Sequence, residues 1–163
     1  MKASKREFMS GVGAAFLGAA LVGCARRADP APGETFEVNR TAKQWRAILS
    51  PAQYKVLRDG GTERPRSSPL NDEKRDGTYR CAGCALPVFA SAAKFESGTG
   101  WPSFTAPISK AVRTRPDPGL FGTRTEVHCR RCGGHLGHVF DDGPPPTGQR
   151  WCMNGIAMEF TTS

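Results

Sequence analysis

The sequence predicts a mainly β domain of short antiparallel strands that follows two short helices. At 163 residues the chain can form one domain with its own core, and hardly two. Glycine (19) and proline (13) are abundant, whereas hydrophobic residues make up only 38%. Beyond the N-terminal third, apolar residues rarely recur at helical spacing, and Gly and Pro interrupt the chain too often for long helices.

The first 23 residues predict an export signal. Basic residues lie within residues 1–7, and no charged residue occurs from Phe8 to Gly23. This apolar stretch is short for a transmembrane helix and is typical of a signal peptide. It ends in Leu21-Val22-Gly23-Cys24, which resembles the lipobox of bacterial lipoproteins and implies cleavage before Cys24 and lipidation of Cys24. A plain signal peptide with an incidental cysteine, or an uncleaved anchor, are the alternatives.

Three segments are expected: a signal peptide at residues 1–23, a flexible tether at 24–39 and a folded domain at 40–163. The tether is predicted from its Pro and Gly and its few apolar residues. The stretch Ser4-Lys5-Arg6-Glu7-Phe8-Met9 resembles a twin-arginine motif with Lys for the first Arg, so Sec and twin-arginine export both stay open. We expect a protein on the periplasmic side that is held to a bacterial membrane, inner or outer, by its lipid anchor only.

Two helices are predicted at the start of the domain. Thr41-Ala42-Lys43-Gln44 has the form of a capping box, and apolar residues from Trp45 to Leu49 follow at helical spacing. Ser50-Pro51-Ala52-Gln53 repeats this signal with Pro at the first helical position, and Gly60-Gly61 ends the second helix.

Six short strands are predicted after the helices, at a spacing typical of an antiparallel domain. They are Thr78 to Cys81, Pro87 to Ala90, Ala111 to Thr114, Gly122 to Cys129, Leu136 to Phe140 and Trp151 to Thr161.

Four cysteines form two CxxC knuckles, Cys81-Ala82-Gly83-Cys84 and Cys129-Arg130-Arg131-Cys132. Two intervening residues let one turn aim two sulfurs at a tetrahedral metal, and four thiolates leave no open position. We therefore expect Cys81, Cys84, Cys129 and Cys132 to bind a structural Zn²⁺, with iron as the other metal considered. Two disulfides or a redox CxxC are the alternatives in an exported protein, although a CxxC disulfide closes a very small loop.

Cys152 is the cysteine that remains once Cys24 and the knuckles are assigned. If its segment is a strand, Arg150, Cys152 and Asn154 share one face. A cation and an amide beside a thiol are expected to lower its pKa and favour the thiolate. The alternative, a buried cysteine acting as a small hydrophobe, fits this polar face poorly.

Two histidines, His135 and His138, lie three residues apart. In a regular strand they would face opposite ways, so both can reach one site only if the chain bulges, which Gly137 would tolerate. Together with the pair Asp141-Asp142 they suggest a proton-handling edge. His128 is expected to lie behind this edge or on the surface.

The formal net charge of +8 does not indicate a nucleic-acid partner. Part of it lies in the predicted signal peptide, and the remaining basic residues are scattered rather than gathered along one face. A soluble basic surface is therefore favoured over nucleic-acid binding.

Several motifs together resemble the B class of methionine sulfoxide reductases, and the match runs from about Trp45 to Phe160. This resemblance implies a β-tent of two antiparallel sheets with zinc on the side far from the active site. It also implies reduction of the R epimer of methionine sulfoxide, chiefly in proteins. The motifs are Arg-Trp-Cys-Met-Asn, Gly-Gly-His-Leu-Gly-His-Val-Phe-Asp-Asp-Gly-Pro, Gly-Thr-Gly-Trp-Pro-Ser-Phe and the two knuckles.

The resemblance also implies residue roles. Cys152 would attack the sulfoxide sulfur and become a sulfenic acid. His135 and His138 would orient the substrate and protonate its oxygen, with an acid of the Asp141-Asp142 pair behind them. Trp101 would pack against the S-methyl group. The implied set is Cys152, His135, His138, Arg150, Asn154 and Asp141 for catalysis, and Trp101 and Phe140 for substrate binding.

The chain departs from the family in three places. Thr99 takes the position of a resolving cysteine, so recycling is expected to need an external thiol, such as a thioredoxin-like donor. Gly155-Ile156 replaces a more polar pair, and Arg66-Ser67-Ser68 departs from a loop that elsewhere carries an aromatic residue. These two changes leave open which residues flank the substrate methionine. We expect a monomer whose partners are oxidised proteins and the thiol reductant.

Two rival functions are considered. A non-catalytic, zinc-ribbon-like binding module explains the knuckles and the basic charge. It gives no reason for four residues to occur together: His135, His138, Arg150 and Cys152. A thiol–disulfide oxidoreductase that uses a CxxC predicts easily reduced knuckle cysteines and no bound zinc.

Overall fold

The computed structural model describes residues 34–119 and 122–163. The predicted signal peptide, Cys24 and residues 24–33 of the predicted tether lie outside the described residues. Within the described part of the chain, no helix is long and apolar enough to cross a membrane. The lipoprotein and export predictions therefore stay predictions.

Two short helices begin at the predicted capping boxes. In α1 (Ala42–Ile48) the Thr41 hydroxyl accepts a hydrogen bond from the Gln44 backbone N–H, and the Gln44 side chain accepts one from the Thr41 N–H. Helix α2 (Pro51–Asp59) begins with the same arrangement at Ser50. Each box pairs backbone N–H groups that a helix start leaves without an intrahelical partner.

Both helices are held by packing more than by their own hydrogen bonds. Helices of seven and nine residues are too short to be stable alone in water. Their buried side chains are Trp45 in α1 and Tyr54, Val56 and Leu57 in α2.

The described residues form nine strands, so the mainly β prediction is confirmed. Two strands, β3 and β4, were not predicted, because two residues are too few to display an alternating pattern. The strands are β1 (Gly77–Cys81), β2 (Pro87–Ala90), β3 (Lys94–Phe95), β4 (Ser103–Phe104), β5 (Val112–Gly119), β6 (Gly122–Cys129), β7 (His135–Phe140), β8 (Arg150–Met153) and β9 (Met158–Thr162).

The strands pair antiparallel in two sheets, as the resemblance implied. The smaller sheet has the order β2-β1-β9, and the larger has the order β3-β4-β8-β7-β6-β5. The long β5–β6 hairpin forms one side of the larger sheet, and β8 lies between β4 and β7.

The predicted final strand, Trp151 to Thr161, is wrong as a single element. Pairing in β8 ends at Met153, a 3₁₀ turn follows at Gly155–Ala157, and β9 then begins. β8 belongs to the larger sheet and β9 to the smaller one. The apolar positions change from Trp151 and Met153 to Ile156, Met158 and Phe160, so the alternation shifts by one residue at the turn and marks the break that the single predicted strand overlooked.

Aromatic rings join the two sheets in the hydrophobic core. Phe104 of β4 stacks on Phe89 of β2 with centroids 4.3 Å apart, and it meets Tyr79 of β1 at 4.9 Å. All three side chains are fully buried. Such pairs contribute about 0.5–1.5 kcal/mol each beyond the area they bury.

Residues 34–39 of the predicted tether pack on the domain. The Val38 N–H donates to the Arg131 carbonyl at 2.9 Å, and a Glu37 carboxylate oxygen lies 3.6 Å from the Arg131 guanidinium. These contacts hold this part of the predicted tether against the second knuckle.

His128 is buried under the same N-terminal segment rather than on the surface. Its Nε2 lies 2.9 Å from a Glu34 carboxylate oxygen, and its ring meets Phe36 edge-on at 6.0 Å. The other Glu34 oxygen lies 3.8 Å from the Arg115 guanidinium.

Candidate functional site

One row of side chains crosses the larger sheet. The register places Cys152 of β8 opposite Ser103 of β4 on one side and opposite His138 of β7 on the other. His138 is opposite Glu126 of β6, which is opposite Arg115 of β5. Directly opposed residues of antiparallel strands project to the same face. A hydroxyl, a thiol, an imidazole, a carboxylate and a guanidinium therefore share that face.

A β-bulge in β7 brings His135 close to His138. Two successive residues of β6 align with His135 and Gly137, so Leu136 is an extra residue on β7. The two imidazole rings lie 5.2 Å apart, tilted by 64°. The predicted bulge is confirmed, but the extra residue is Leu136 rather than Gly137.

Gly137 allows β8 to approach β7 closely. A Cβ atom at this position would lie 2.2 Å from the backbone oxygen of Cys152. Any side chain here would push the two strands apart where His138 and Cys152 are opposed.

The acids that contact the histidines come from the β5–β6 hairpin. His135 Nδ1 lies 2.8 Å from Glu126, and His138 Nε2 lies 2.7 Å from Asp117. The expectation that an acid of the Asp141-Asp142 pair stands behind the histidines is therefore wrong. The register explains this, because β6 and β5 lie beyond β7 on the side away from β8.

These contacts set the charges of the row. Burial alone would raise the pKa of Glu126, but His135 and Arg115 outweigh it and hold that pKa at about 2. A carboxylate can only accept, so His135 Nδ1–H is the donor. Burial lowers the pKa of His138, and the hydrogen bond to Asp117 only partly opposes this, so the imidazole is neutral at neutral pH.

Arg150 is held beside Cys152 by an acid and an aromatic ring. Its Nε and Nη2 donate to the two Asp142 carboxylate oxygens at 2.8 and 2.9 Å, and its guanidinium lies 4.4 Å from the Phe140 ring centroid. The pairing with Asp142 raises the pKa of Arg150 further. Both acids of the pair are exposed, and Asp142 is the one that reaches the site, through Arg150.

The pKa of the Cys152 thiol is raised, contrary to the sequence-based expectation. Burial is the largest cause, and the side chains of Thr99, Arg150 and Ser103 oppose it without outweighing it. Polar neighbours are present as predicted, but the effect of partial burial on the thiol exceeds theirs. The resting side chain is therefore a thiol at neutral pH.

A cavity of about 120 Å³ opens beside Cys152. Its walls include four predicted residues, Trp101, His138, Phe140 and Asn154, and also Arg124 and Thr62, which were not predicted. His135 is not among the lining residues, and it lies behind His138 with its Nε2 buried and without a hydrogen-bond partner among the described residues. The space suits the end of one side chain.

Asn154 reaches the cavity by a different route from the one predicted. It lies after β8 rather than within it, so strand alternation with Cys152 does not apply. Its Nδ2 donates to the Leu136 carbonyl at 3.1 Å, and its Oδ1 accepts from the Glu63 N–H at 3.0 Å. Asn154 therefore ties the wall of the cavity to β7 and to the loop that follows α2.

Thr99 lies next to the thiol. Its Oγ1 is 3.9 Å from Cys152 Sγ, and a hydrogen bond of 2.8 Å joins the same Oγ1 to Ser97 Oγ. Within the described residues, the only cysteines besides Cys152 are the four knuckle cysteines.

The four knuckle cysteines form one cluster. Their sulfurs all lie within 4.8 Å of one another, and none is in a disulfide. The Cys81–Cys132 and Cys84–Cys129 separations are 3.7 and 3.5 Å. A tetrahedral ion with metal–sulfur bonds of about 2.3 Å needs sulfurs roughly 3.8 Å apart, whereas a disulfide needs about 2.05 Å. The cluster fits a metal ion of the zinc type.

Both knuckles end in the same backbone turn. The residue after the second cysteine is left-handed in each, with φ +57° at Ala85 and +66° at Gly133. Each donates its N–H to the carbonyl of the first cysteine, at 2.7 Å to Cys81 and 2.9 Å to Cys129. Ala85 thus takes, in the first knuckle, the position that Gly133 takes in the second.

Sequence reasoning missed several site residues that a polar alternation could have indicated. Arg124, Glu126 and His128 occupy every second position of one predicted strand, which marks a polar face. The residues opposite that face depend on strand register, which the pattern does not reveal. Arg113, Arg115 and Asp117 alternate in the same way, but the strand predicted there ended at Thr114 and so left Asp117 out. Thr62 carries no such signal.

The fold and the site define a thiol-based enzyme with a separate four-cysteine cluster. The SelR domain model matches residues 49–162. Proteins named peptide methionine sulfoxide reductase MsrB are similar to most of the chain. The relative from Pseudomonas entomophila is 52% identical over 125 residues, covering 76% of this chain and 95% of that protein. The relative from Methanosarcina barkeri is 52% identical over 126 residues, covering 77% and 89%. The chain belongs to the SelR-domain, or MsrB, family of enzymes, as its motifs predicted.

Proposed function

We propose that this protein reduces the R epimer of methionine sulfoxide, chiefly in proteins, and that Cys152 is the nucleophile. The observation that carries the proposal is the register that sets Cys152 opposite His138 beside a cavity walled by Trp101 and Phe140. The names of the relatives support the reaction, and the enclosed thiol supplies a group able to perform it.

In the proposed step, Cys152 Sγ attacks the sulfoxide sulfur, and the oxygen passes from that sulfur to Sγ. The thiol loses one proton and the transferred oxygen gains one. The products are methionine and a Cys152 sulfenic acid. The cysteine sulfur is oxidised by two electrons, and the methionine sulfur is reduced by two.

His138 is the proposed proton carrier. A neutral imidazole whose Nε2–H donates to Asp117 has Nδ1 available to accept the thiol proton and pass it to the sulfoxide oxygen. The raised pKa of Cys152 is compatible with this scheme, because the thiol then brings the proton that the oxygen needs. Asp117 would stabilise the imidazolium that forms.

Aromatic and cationic groups are proposed to hold the substrate and the thiolate. Trp101 and Phe140 offer apolar faces to the S-methyl group. Arg150, fixed by Asp142, stabilises the anion that Cys152 becomes. Asn154 fixes the far wall through its backbone contacts.

Recycling is proposed to use an external thiol, such as a thioredoxin-like protein. Thr99 lies within 3.9 Å of Cys152, where a resolving cysteine would otherwise stand. Two reductant thiols then convert the sulfenic acid into a thiol and water and become a disulfide themselves.

We also propose Zn²⁺ as the ion of the four-cysteine cluster, since four thiolates suit it and close its coordination sphere. Cys81, Cys84, Cys129 and Cys132 would hold it in a structural role. The mature protein is proposed to be a monomer, exported and lipid-anchored through Cys24.

The deciding experiment compares turnover of separated R and S sulfoxides with dithiothreitol. Wild-type protein should reduce the R epimer only, Cys152→Ser should reduce neither, and Cys24→Ser should match wild type. Absence of turnover with bound zinc would favour the binding module instead. Activity in Cys152→Ser with reducible, metal-free knuckles would favour the thiol–disulfide oxidoreductase.

A second measurement addresses recycling. After one turnover without reductant, intact-mass spectrometry should find one added oxygen on Cys152 or an adduct with another molecule. An intramolecular disulfide that includes Cys152 would contradict the external-thiol scheme.

A further inference from the structure

A second, larger concavity lies beside the Cys152 cavity. This flanking groove, of about 620 Å³, is bounded by α2, by residues 62–70 and by residues 155–160. Its volume falls in the range of about 300–1,000 Å³ that is typical of binding pockets. Most of its lining is apolar, through Val56, Leu70, Ile156, Met158 and Phe160.

The groove is continuous with the cavity of the thiol. Thr62 lines both concavities and is exposed, so it forms the ridge between them. Asn154 lines the cavity, and the next two residues, Gly155 and Ile156, line the groove. A chain segment that leaves the cavity over Thr62 therefore enters the groove directly.

Glu63 fixes the groove relative to the cavity. Its carboxylate accepts hydrogen bonds from the backbone N–H groups of Gly155, at 2.5 Å, and Ile156, at 3.0 Å. Its backbone carbonyl accepts from Trp101 Nε1 at 3.2 Å, and its N–H donates to Asn154 Oδ1. One residue thus joins the groove wall to two residues of the cavity wall.

The size of the cavity points to the occupant of the groove. About 120 Å³ accepts only the end of one side chain, so the rest of a polypeptide substrate must lie outside. The apolar lining favours an apolar side chain over a charged one. The two departures from the family pattern also meet here, because Gly155-Ile156 and Ser67-Ser68 all line the groove.

We propose that the flanking groove binds an apolar side chain next to the oxidised methionine of a polypeptide substrate. The inference rests on the proposed function and adds a sequence preference to it. The protein would then favour methionine sulfoxides that have a leucine-sized neighbour over those flanked by glycine.

The test uses the full-length protein and three R-sulfoxide substrates: a peptide with Leu on both sides of the methionine, the same peptide with Gly, and N-acetyl methionine sulfoxide. The Leu peptide should exceed the Gly peptide in kcat/KM by at least about tenfold, the low end of the effect of a single methylene group in an apolar pocket. Ile156→Ser should bring this Leu-to-Gly ratio close to one. Its backbone hydrogen bond to Glu63 does not depend on the side chain.

Ile48→Ser is the matched control, because Ile48 lies on α1, does not line the groove and is already 54% exposed. It should leave the Leu-to-Gly ratio and the turnover of N-acetyl methionine sulfoxide unchanged. Thermal unfolding and metal content should confirm that both variants are folded.

Three outcomes would overturn the inference. The first is an equal kcat/KM for both peptides in the wild type while N-acetyl methionine sulfoxide is reduced, which leaves the proposed function intact. The second is an unchanged ratio in a folded Ile156→Ser variant. The third is a dimer in sedimentation that this substitution dissociates, because the groove would then hold a second copy. Absence of turnover with all three substrates would overturn the proposed function and the inference with it.

Discussion

The pKa of the Cys152 thiol depends on opposing effects, and Arg150 is the charged group among those that lower it. Burial raises the pKa of Cys152, while the nearby guanidinium lowers it. Arg150→Gln should therefore raise this pKa further and slow alkylation at neutral pH. The measurement is the rate of Cys152 alkylation by iodoacetamide against pH, read by peptide mass spectrometry. In the wild type the rate should still be rising at pH 9.0, the ordinary thiol value.

Arg75→Gln is the matched control for this titration, because Arg75 is exposed and pairs with Glu73 instead. Its alkylation profile should overlie that of the wild type. A profile for Arg150→Gln that moves to lower pH would contradict the assigned influence of Arg150.

The lowered pKa of Glu126, in the row of side chains across the larger sheet, makes the stability of the fold depend on pH. Its pKa falls from 4.5 to about 2 on folding, so its contribution is present above pH 4.5 and is lost as the pH falls through about 2. The stability difference between wild type and Glu126→Gln should shrink across that window. This difference amounts to at most about 3.5 kcal/mol, at about 1.4 kcal/mol per pKa unit.

Urea unfolding at several pH values measures this difference, with the exposed Glu159→Gln as the comparison. Because Glu159 is exposed, Glu159→Gln should change the free energy of unfolding little. A flat profile for Glu126→Gln would mean that His135 and Arg115 do not stabilise the buried carboxylate.

At the scale of the element, the first knuckle has a strained backbone residue where the second has a glycine. Ala85 adopts the left-handed conformation that Gly133 adopts in the second knuckle, and its side chain is exposed. Ala85→Gly should stabilise the fold by about 0.5 kcal/mol, because the relief of about 1 kcal/mol exceeds the added freedom of the unfolded chain. Denaturant unfolding checks this.

Ala82→Gly is the control within the same knuckle, since Ala82 is not among the residues with positive φ. Ala82→Gly should destabilise the fold, because glycine raises the conformational entropy of the unfolded chain and relieves no backbone strain in the folded one. If both substitutions destabilise equally, the left-handed turn costs nothing.

Elements with a strong local signal were predictable, and elements defined by pairing were not. Local signals predicted the helix starts at Thr41 and Ser50 and the two knuckles, because the side chains involved lie within four consecutive residues. The sheets that the two parts of the last predicted strand join, and the partners of His135 and His138, follow from strand register. Register depends on contacts between distant segments, and the pattern of one segment does not identify the residues that it pairs with.

For the whole molecule, the cluster joins the two sheets. Cys81 ends β1 of the smaller sheet, and Cys129 ends β6 of the larger one. Removal of the proposed metal ion should therefore lower Tm by at least about 10 °C, because a loss of about 5 kcal/mol at roughly 2 °C or more per kcal/mol gives that shift. Differential scanning calorimetry before and after a strong chelator, with metal analysis, measures the effect.

Cys84→Ser should reproduce the chelator effect without any chelator. The chelator should leave the Tm of that variant almost unchanged if the variant no longer retains the metal. An unchanged Tm in the metal-free wild-type protein would show that the two sheets are held by the core alone.

The change of sheet at Gly155–Ala157 has a consequence for the order in which the chain is made. β8 fills the gap between β4 and β7, and β9, the last strand, pairs with β1 near the start of the domain. Both sheets thus stay incomplete until residues 150–162 have been synthesised, and such distant pairings form late. A chain that stops before β8 therefore lacks Cys152, the proposed nucleophile, and its thiol enters the row between Ser103 and His138 only as β8 pairs with both neighbouring strands.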